Sequence, residues 1–325
     1  MTDQPLITHL YTADPSAHVF NGKLYIYPSH DRETDIEFND NGDQYDMVDY
    51  HVFSMSEISG DVTDHGVALA ASDVPWVSKQ LWAPDAAEKN GKYYLYFPAR
   101  DKEGVFRIGV AVSDKPEGPF KPQPEPIKGS YSIDPASFVD DDGQAYLYFG
   151  GIWGGQLQCY GSGHKYDASK YAPAEPSGEG KTALLPRVAK LRDDMLEFDG
   201  EISEVKIVDE EGKLLAADDH DRRFFEAAWV HKKNGVYYFS YSTGDTHYLC
   251  YATGDNPLGP FTYRGRILEP VLGWTTHHSI VEFKEKLYLF HHDASLSKGV
   301  NHLRSVKVKE LVYDEEGRIK LAKPQ

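Results

Sequence analysis

A short phrase recurs five times along the chain, and a recurring unit restricts the fold more than any isolated strand signal. Residues 21–27 read NGKLYIY, 90–96 NGKYYLY, 142–148 DGQAYLY, 234–240 NGVYYFS and 284–290 KEKLYLF. In the first four copies an Asn-Gly or Asp-Gly pair supplies the positive φ of a tight hairpin turn, and the aromatic run after it favours an extended strand. The fifth copy keeps only the strand. Each turn follows a segment that starts polar and continues apolar: DPSAHVF from Asp14, WAPDAAEK from Trp82, DPASFVD from Asp134, EAAWVHK from Glu226 and HHSIVEF from His277. A second phrase, VAVSDKPEGPF at 110–120 and YATGDNPLGPF at 251–261, makes the second and fourth units alike throughout. Hairpin plus further strand, repeated with almost no helical periodicity, predicts an all-β fold, a five-bladed β-propeller. The widest gap, residues 155–222, reads as outer strands of blade three plus a long loop, with a further strand-turn-strand signal in EISEVKIVDEEGKLL. The expected organisation is one catalytic unit across residues 1–325 rather than two domains.

The innermost strand of every propeller blade runs along the central channel, so matched positions of the copies converge on one axis. Asp14 lies eight residues before Gly22; Trp82, Asp134 and Glu226 each lie nine before Gly91, Gly143 and Gly235; His277 lies nine before Lys286. The converging set is Asp, Trp, Asp, Glu and His. Any single Asp before a strand is more often a turn cap than a catalyst. Several polar groups on one register are harder to dismiss, because gathering like charges near an axis is costly without function or a cation. Glycoside hydrolysis needs such a set: a general acid for the leaving oxygen and a second carboxylate across the sugar. A third carboxylate near the acid raises its pKa and keeps it protonated near neutral pH.

Composition narrows the partners. The 34 basic and 51 acidic residues give a net charge of −17, which repels nucleic acid and anionic membranes and suits a neutral substrate. No apolar run approaches the roughly 20 residues of a membrane span, and the start MTDQPLITHLYTADPS has no signal-peptide pattern, so a cytoplasmic location is expected. Cys159 and Cys250 sit apart with no metal-ligand spacing and are expected to be ordinary packed thiols.

At these residues the chain resembles glycoside hydrolase family 43, five-bladed hydrolases acting by inversion on xylan- and arabinan-derived sugars. The resemblance spans nearly the whole chain and rests on Ala13-Asp14-Pro15-Ser16, Trp82-Ala83-Pro84-Asp85, Ser132-Ile133-Asp134-Pro135, Phe225-Glu226-Ala227 and His277-His278-Ser279, in order and one per blade. It implies Asp14 as the general base, Glu226 as the general acid and Asp134 as the residue that orients the acid and tunes its pKa. Inversion implies carboxyls roughly 6.5–9.5 Å apart. It also implies a hydrated divalent cation, Ca²⁺, held by one histidine: His277, with His278 the alternative one register step away. Arg304 matches an arginine that binds hydroxyls of the terminal sugar, the alternative being an ordinary closing-strand arginine. Trp82 and Ile133 are read as pocket walls, and His30, with Asp31, as reaching the site or else facing solvent.

The implied substrate is the non-reducing xylose of short β-1,4-xylooligosaccharides, released in exo fashion, with α-L-arabinofuranosides as the alternative. Fructan hydrolases of similar fold would carry Asn-Asp-Pro and Arg-Asp-Pro where this chain has Ala-Asp-Pro and Ile-Asp-Pro. A non-catalytic sugar-binding propeller has no use for the carboxyl pair. The expected partner is a small oligosaccharide, with a homo-oligomer compatible.

Overall fold

The computed structural model describes residues 3–171 and 174–323. Five sheets follow one another in chain order, each built on an antiparallel meander, and close into a ring: a five-bladed β-propeller. The innermost strands are Tyr11–Phe20, Asp85–Lys89, Ala136–Val139, Glu226–Lys233 and His278–Phe283. Each touches the next around the ring, and the last touches the first. Apolar side chains fill the wedges between neighbouring blades, so the core is a set of inter-blade layers around a polar axis.

The repeated phrase forms the second strand of each blade, and its last residue explains why tyrosine recurs there. The hydroxyls of Tyr27, Tyr96 and Tyr148 donate to the carbonyl oxygens of Pro116, Met195 and Pro257 at 2.6, 2.8 and 2.5 Å, each in the following blade. A buried phenol hydroxyl needs a partner, and here the partner staples one blade to the next. In the fourth copy Ser240 does the same, its Oγ 2.6 Å from His278 Nε2 of blade five. The fifth copy ends in Phe290, which has no hydroxyl. Backbone bonds tie blade five to the start of the chain instead: Leu6 N to Val306 O at 2.8 Å and Thr12 N to Arg304 O at 2.9 Å.

Three of the turns behave as expected, with positive φ at both residues of Asn21-Gly22, Asn90-Gly91 and Asn234-Gly235. Two differ. In the third copy only Gly143 is left-handed, and the turn widens to Asp140–Gly143, closed by Gly143 N to Asp140 O at 2.9 Å. In the fifth, Lys284 and Glu285 form the same two-residue turn as Asn-Gly, with φ of 50° and 65°, so this copy keeps its hairpin without the residues that favour it. The long gap does hold outer strands of blade three, Arg187–Lys190 and Ser203–Glu204. Its strand-turn-strand signal divides between blades, however: Ile207–Val208 leaves blade three and pairs in parallel with the outer strand Phe261–Leu268 of blade four. Cys159 and Cys250 are both free and buried. No helix among the described residues is long and apolar enough to cross a membrane.

Glu285 is exposed and held left-handed, a conformation costing an L-residue roughly 1–2 kcal/mol. Glu285→Gly is expected to raise unfolding free energy by about 0.5–1 kcal/mol after the entropy cost of glycine. Urea midpoints of the two proteins measure it.

Candidate active site

Asp14, Asp134 and Glu226 reach one pocket because the innermost strands break regular pairing where they meet it. The strand of blade one shifts register between Ala13 and Ser16, and that of blade four between Glu226 and Trp229. Asp14, Asp134 and Ala227 all have positive φ, at 49°, 56° and 64°. Left-handed residues other than glycine are costly and gather at functional sites. Counted from the hairpin turns, Ala227 rather than Glu226 matches Asp14, and Glu226 pairs with Ser242 as Ala13 pairs with Ser29. His277 lies eight residues before Glu285, as Asp14 does before Gly22, once Lys284-Glu285 is recognised as the turn. The convergence expected from the repeat is therefore real, with Glu226 and Trp82 one step earlier on their strands than the other three.

The pocket is a cleft open to solvent on one side, at the end of the polar axis. Asp14, Asp134, Glu226, Trp82, Ile133, His277 and Arg304 all line it. The three carboxyls are electrostatically unequal. Burial alone would raise Asp14, but the guanidinium of Arg304, then His292 and His277, and a 2.6 Å bond from Ser29 Oγ more than offset it and hold Asp14 at about 2. Glu226 has no such support. Burial first and the negative Asp14 second push it to about 8, against a smaller pull from Arg304. Asp134 is also pushed well up, by burial, then Glu226, then Asp14, although its Oδ2 accepts the Ala227 N–H at 2.8 Å. At neutral pH the pocket thus holds one firmly ionised carboxylate facing a carboxylic acid.

Arg304 is buried and used mostly inside the protein. Its Nε and Nη2 reach the two oxygens of Asp31 at 2.9 and 2.8 Å, and Nη1 reaches Asp14 Oδ1 at 3.1 Å and Thr275 Oγ1 at 3.0 Å. Four of the five guanidinium N–H groups have protein partners, which leaves one on Nη2 for a ligand. The guanidinium also sits 4.8 Å from the centroid of the Tyr45 ring. Trp82 is fixed by its Nε1–H donating to Tyr45 O at 2.8 Å and by packing on Phe106, and Ile133 is held against Gly151 and Gly155, where a Cβ would approach within 2.6–2.7 Å.

The histidines separate cleanly. His277 is largely buried, 13% of its side chain exposed, yet neither ring nitrogen hydrogen-bonds a described residue; Nδ1 stands 3.6 Å from Asp14 Oδ1 and 3.9 Å from Asp134 Oδ2. Burial pushes its pKa down, so the ring is neutral and keeps a lone pair. An unsatisfied neutral imidazole among carboxyls fits the one direct ligand of a hydrated cation. His278 turns away into the wall between blades four and five and bonds Ser240. His30 does not line the pocket; its Nδ1 lies 2.5 Å from Asp49 Oδ1 in blade one.

Other groups had no signal in the repeat. Trp153, Phe225 and Trp274 form an aromatic wall with ring centroids 5.3–5.7 Å apart. Trp153 opens a single 3₁₀ turn (Trp153–Gly155) and Trp274 lies in a loop, whereas Phe225 directly precedes Glu226. Asp85, in the Trp82 motif, is buried on the axis, where Ser16, His18 Nε2 at 2.7 Å and Ser137 Oγ at 2.7 Å satisfy it. Phe38, 49% exposed, stands at the pocket edge on the long connection after the second strand of blade one.

Comparison with known proteins agrees with this geometry. Residues 3–319 match the model for glycosyl hydrolases family 43. The chain is 75% identical to xylosidase/arabinosidase 43A of Humicola insolens over 325 residues, 99% of both chains. It is 58% identical to a β-xylosidase of Xylanibacter ruminicola over 316 residues, 96% of this chain and 97% of that one. Among solved structures, a family 43 β-xylosidase/α-arabinofuranosidase from a compost microbial metagenome, crystallised with xylotriose in a calcium-free form, superposes with TM-score 0.96 at 63% identity, covering 98% of this chain and 96% of that one.

The Arg304 pairs generate a stability prediction. Arg304→Met leaves the buried Asp31 carboxylate unpaired and is expected to cost roughly 3–5 kcal/mol in urea unfolding. Adding Asp31→Leu, which removes the orphaned charge, is expected to recover part of that loss.

Proposed function

Because the chain belongs to glycoside hydrolase family 43, we propose that it releases xylose from the non-reducing end of short β-1,4-xylooligosaccharides, with inversion, using Asp14 as general base and Glu226 as general acid. The observation that carries this reading is the unequal support of two carboxyls in one pocket: Arg304 Nη1 at 3.1 Å and Ser29 Oγ at 2.6 Å hold Asp14 low, whereas burial and the negative Asp14 push Glu226 up. Glu226 gives its proton to the glycosidic oxygen as the bond from that oxygen to the anomeric carbon breaks. Water attacks the opposite face of the same carbon and passes a proton to Asp14, leaving the anomeric centre inverted. Asp134, its own carboxyl pushed well up by burial, Glu226 and Asp14, fixes the turn at Ala227 by accepting that residue's backbone N–H. Trp82 and Ile133 would wall the bound sugar, and the free N–H of Arg304 Nη2 would donate to a hydroxyl. A hydrated Ca²⁺ held by His277 would add fixed positive charge beside the carboxyls.

A second activity, on α-L-arabinofuranosides, is favoured by the double naming of the Humicola insolens and compost relatives as acting on both kinds of sugar. The two activities would share one pocket, so a xyloside should inhibit arabinofuranoside hydrolysis competitively.

The central test is xylobiose turnover. Glu226→Gln is expected to lower kcat about 10²–10⁴-fold, with less loss on an aryl xyloside whose leaving group needs no proton. The first sugar released by the wild type should be the α anomer by proton NMR. Wild-type turnover in the variant, or a retained β anomer, contradicts the assignment.

The pH dependence has a defined sign. The base must be ionised and Asp14 remains so down to about 2, whereas the acid must be protonated and Glu226 loses its proton through about 8. The kcat/KM profile should be level from mildly acidic to neutral pH and fall along an alkaline limb near 8.

Removal of the cation should separate binding from turnover, since the compost relative holds xylotriose in a calcium-free form. Chelation is expected to lower kcat with little change in KM, and added Ca²⁺ to restore it.

A further inference from the structure

A cluster in blade one plays no part in this chemistry. His30 lies near the end of the second strand (Lys23–Asp31), and Asp49 and His51 lie on the third (Asp49–Met55). The pairing runs Leu24 to Met55, Tyr25 to Ser54 and Ile26 to Phe53; continued, it brings His30 opposite Asp49. Asp49 and His51 are two apart on one strand and share a face. One donor atom from each of the three residues lies within 4.8 Å of the other two. The two imidazoles meet edge to face, centroids 4.9 Å apart.

Three features distinguish the group from ordinary surface histidines. Free donors remain: His30 and His51 each use Nδ1, toward Asp49 at 2.5 Å and Asp64 at 2.9 Å, while their Nε2 atoms and Asp49 Oδ2 bond no described residue. An outer carboxylate is in place, because Asp64 fixes the His51 tautomer and is itself held by Gly66 N and His9 Nε2, both at 2.8 Å. Carboxylate–histidine–metal chains use this arrangement. Access is open, with 19%, 21% and 14% of the His30, Asp49 and His51 side chains exposed, so a hydrated ion can enter and keep water in its remaining positions. Arg32 is the nearby opposing charge, and its guanidinium is engaged by the carbonyl and carboxylate of Asp46.

We propose that His30, Asp49 and His51 form a second metal site, one for a first-row divalent transition ion such as Zn²⁺ or Co²⁺. Two imidazoles and one carboxylate select that class over Ca²⁺ or Mg²⁺, which favour all-oxygen shells. The site is chemically distinct from the axial position at His277 and is independent of the glycosidase reading. It would clamp the second strand to the third one residue from Asp31, the partner of Arg304. Bound metal should therefore stabilise blade one without entering the pocket.

The test uses untagged protein stripped of metal, saturated with Ca²⁺, then titrated calorimetrically with Zn²⁺ and followed by visible absorption with Co²⁺. One equivalent should bind. His51→Gln and Asp49→Asn should each weaken binding at least about 100-fold, and Asp64→Asn about 10–100-fold, with near-ultraviolet circular dichroism unchanged. Zinc K-edge absorption of the loaded wild type, which needs no variant, should show imidazole scattering from two ligands. A zinc shell of oxygens alone, no binding tighter than millimolar, or affinity unaltered in both His51→Gln and Asp49→Asn overturns the proposal.

Discussion

The buried guanidinium of Arg304 is the contact on which the rest depends. It stands just before the third strand of blade five and binds Asp31 and Asp14, both in blade one. One side chain thus closes the ring electrostatically and sets the charge of a pocket carboxylate. A buried ion pair contributes little net stability over an apolar substitute, but breaking it leaves an uncompensated charge. The closure and the chemistry of the pocket are therefore linked: whatever loosens the junction of blades five and one also frees Asp14 to take up a proton.

From that one cation follows the inequality of the acids. All three are buried, and burial raises every carboxyl. Asp14 escapes because Arg304 and Ser29 both donate to its carboxylate. Glu226 and Asp134 face Asp14 as a negative neighbour and have less to offset it. The ring geometry supplies the rest, since blades one, three and four each deliver a carboxyl through a local left-handed kink.

Much of this was legible in the sequence. The repeat gave five hairpins in order and brought Asp14, Trp82, Asp134, Glu226 and His277 together, because period and turn chemistry are local properties. The fifth turn was hidden: Lys284-Glu285 carries no residue that favours positive φ, so the register of His277 was misjudged by one. Ile207–Val208 was assigned to the wrong blade because a two-residue parallel pairing is decided by tertiary packing, not by pattern. Arg304 was anticipated as a sugar-binding fork, but its dominant partners, Asp31 and Asp14, lie 273 and 290 residues away. His30 pointed away from the pocket for a similar reason, its Asp49 partner being on the adjacent strand. Trp153 sits in a single 3₁₀ turn and Trp274 in a loop, both too short for any periodicity to mark which way a ring faces.

The opposed protonation of two carboxyls can be observed without substrate. With carbon-13 in the side-chain carboxyls of Asp and Glu, and Asp14→Asn and Glu226→Gln used only to assign the signals, NMR titration of the wild type reads each group separately. The account predicts that at pH 7 the Glu226 carbon resonates as a neutral acid and titrates near 8, while the Asp14 carbon stays ionised to about 2. Two signals that both report ionised carboxylates at pH 7 would contradict it.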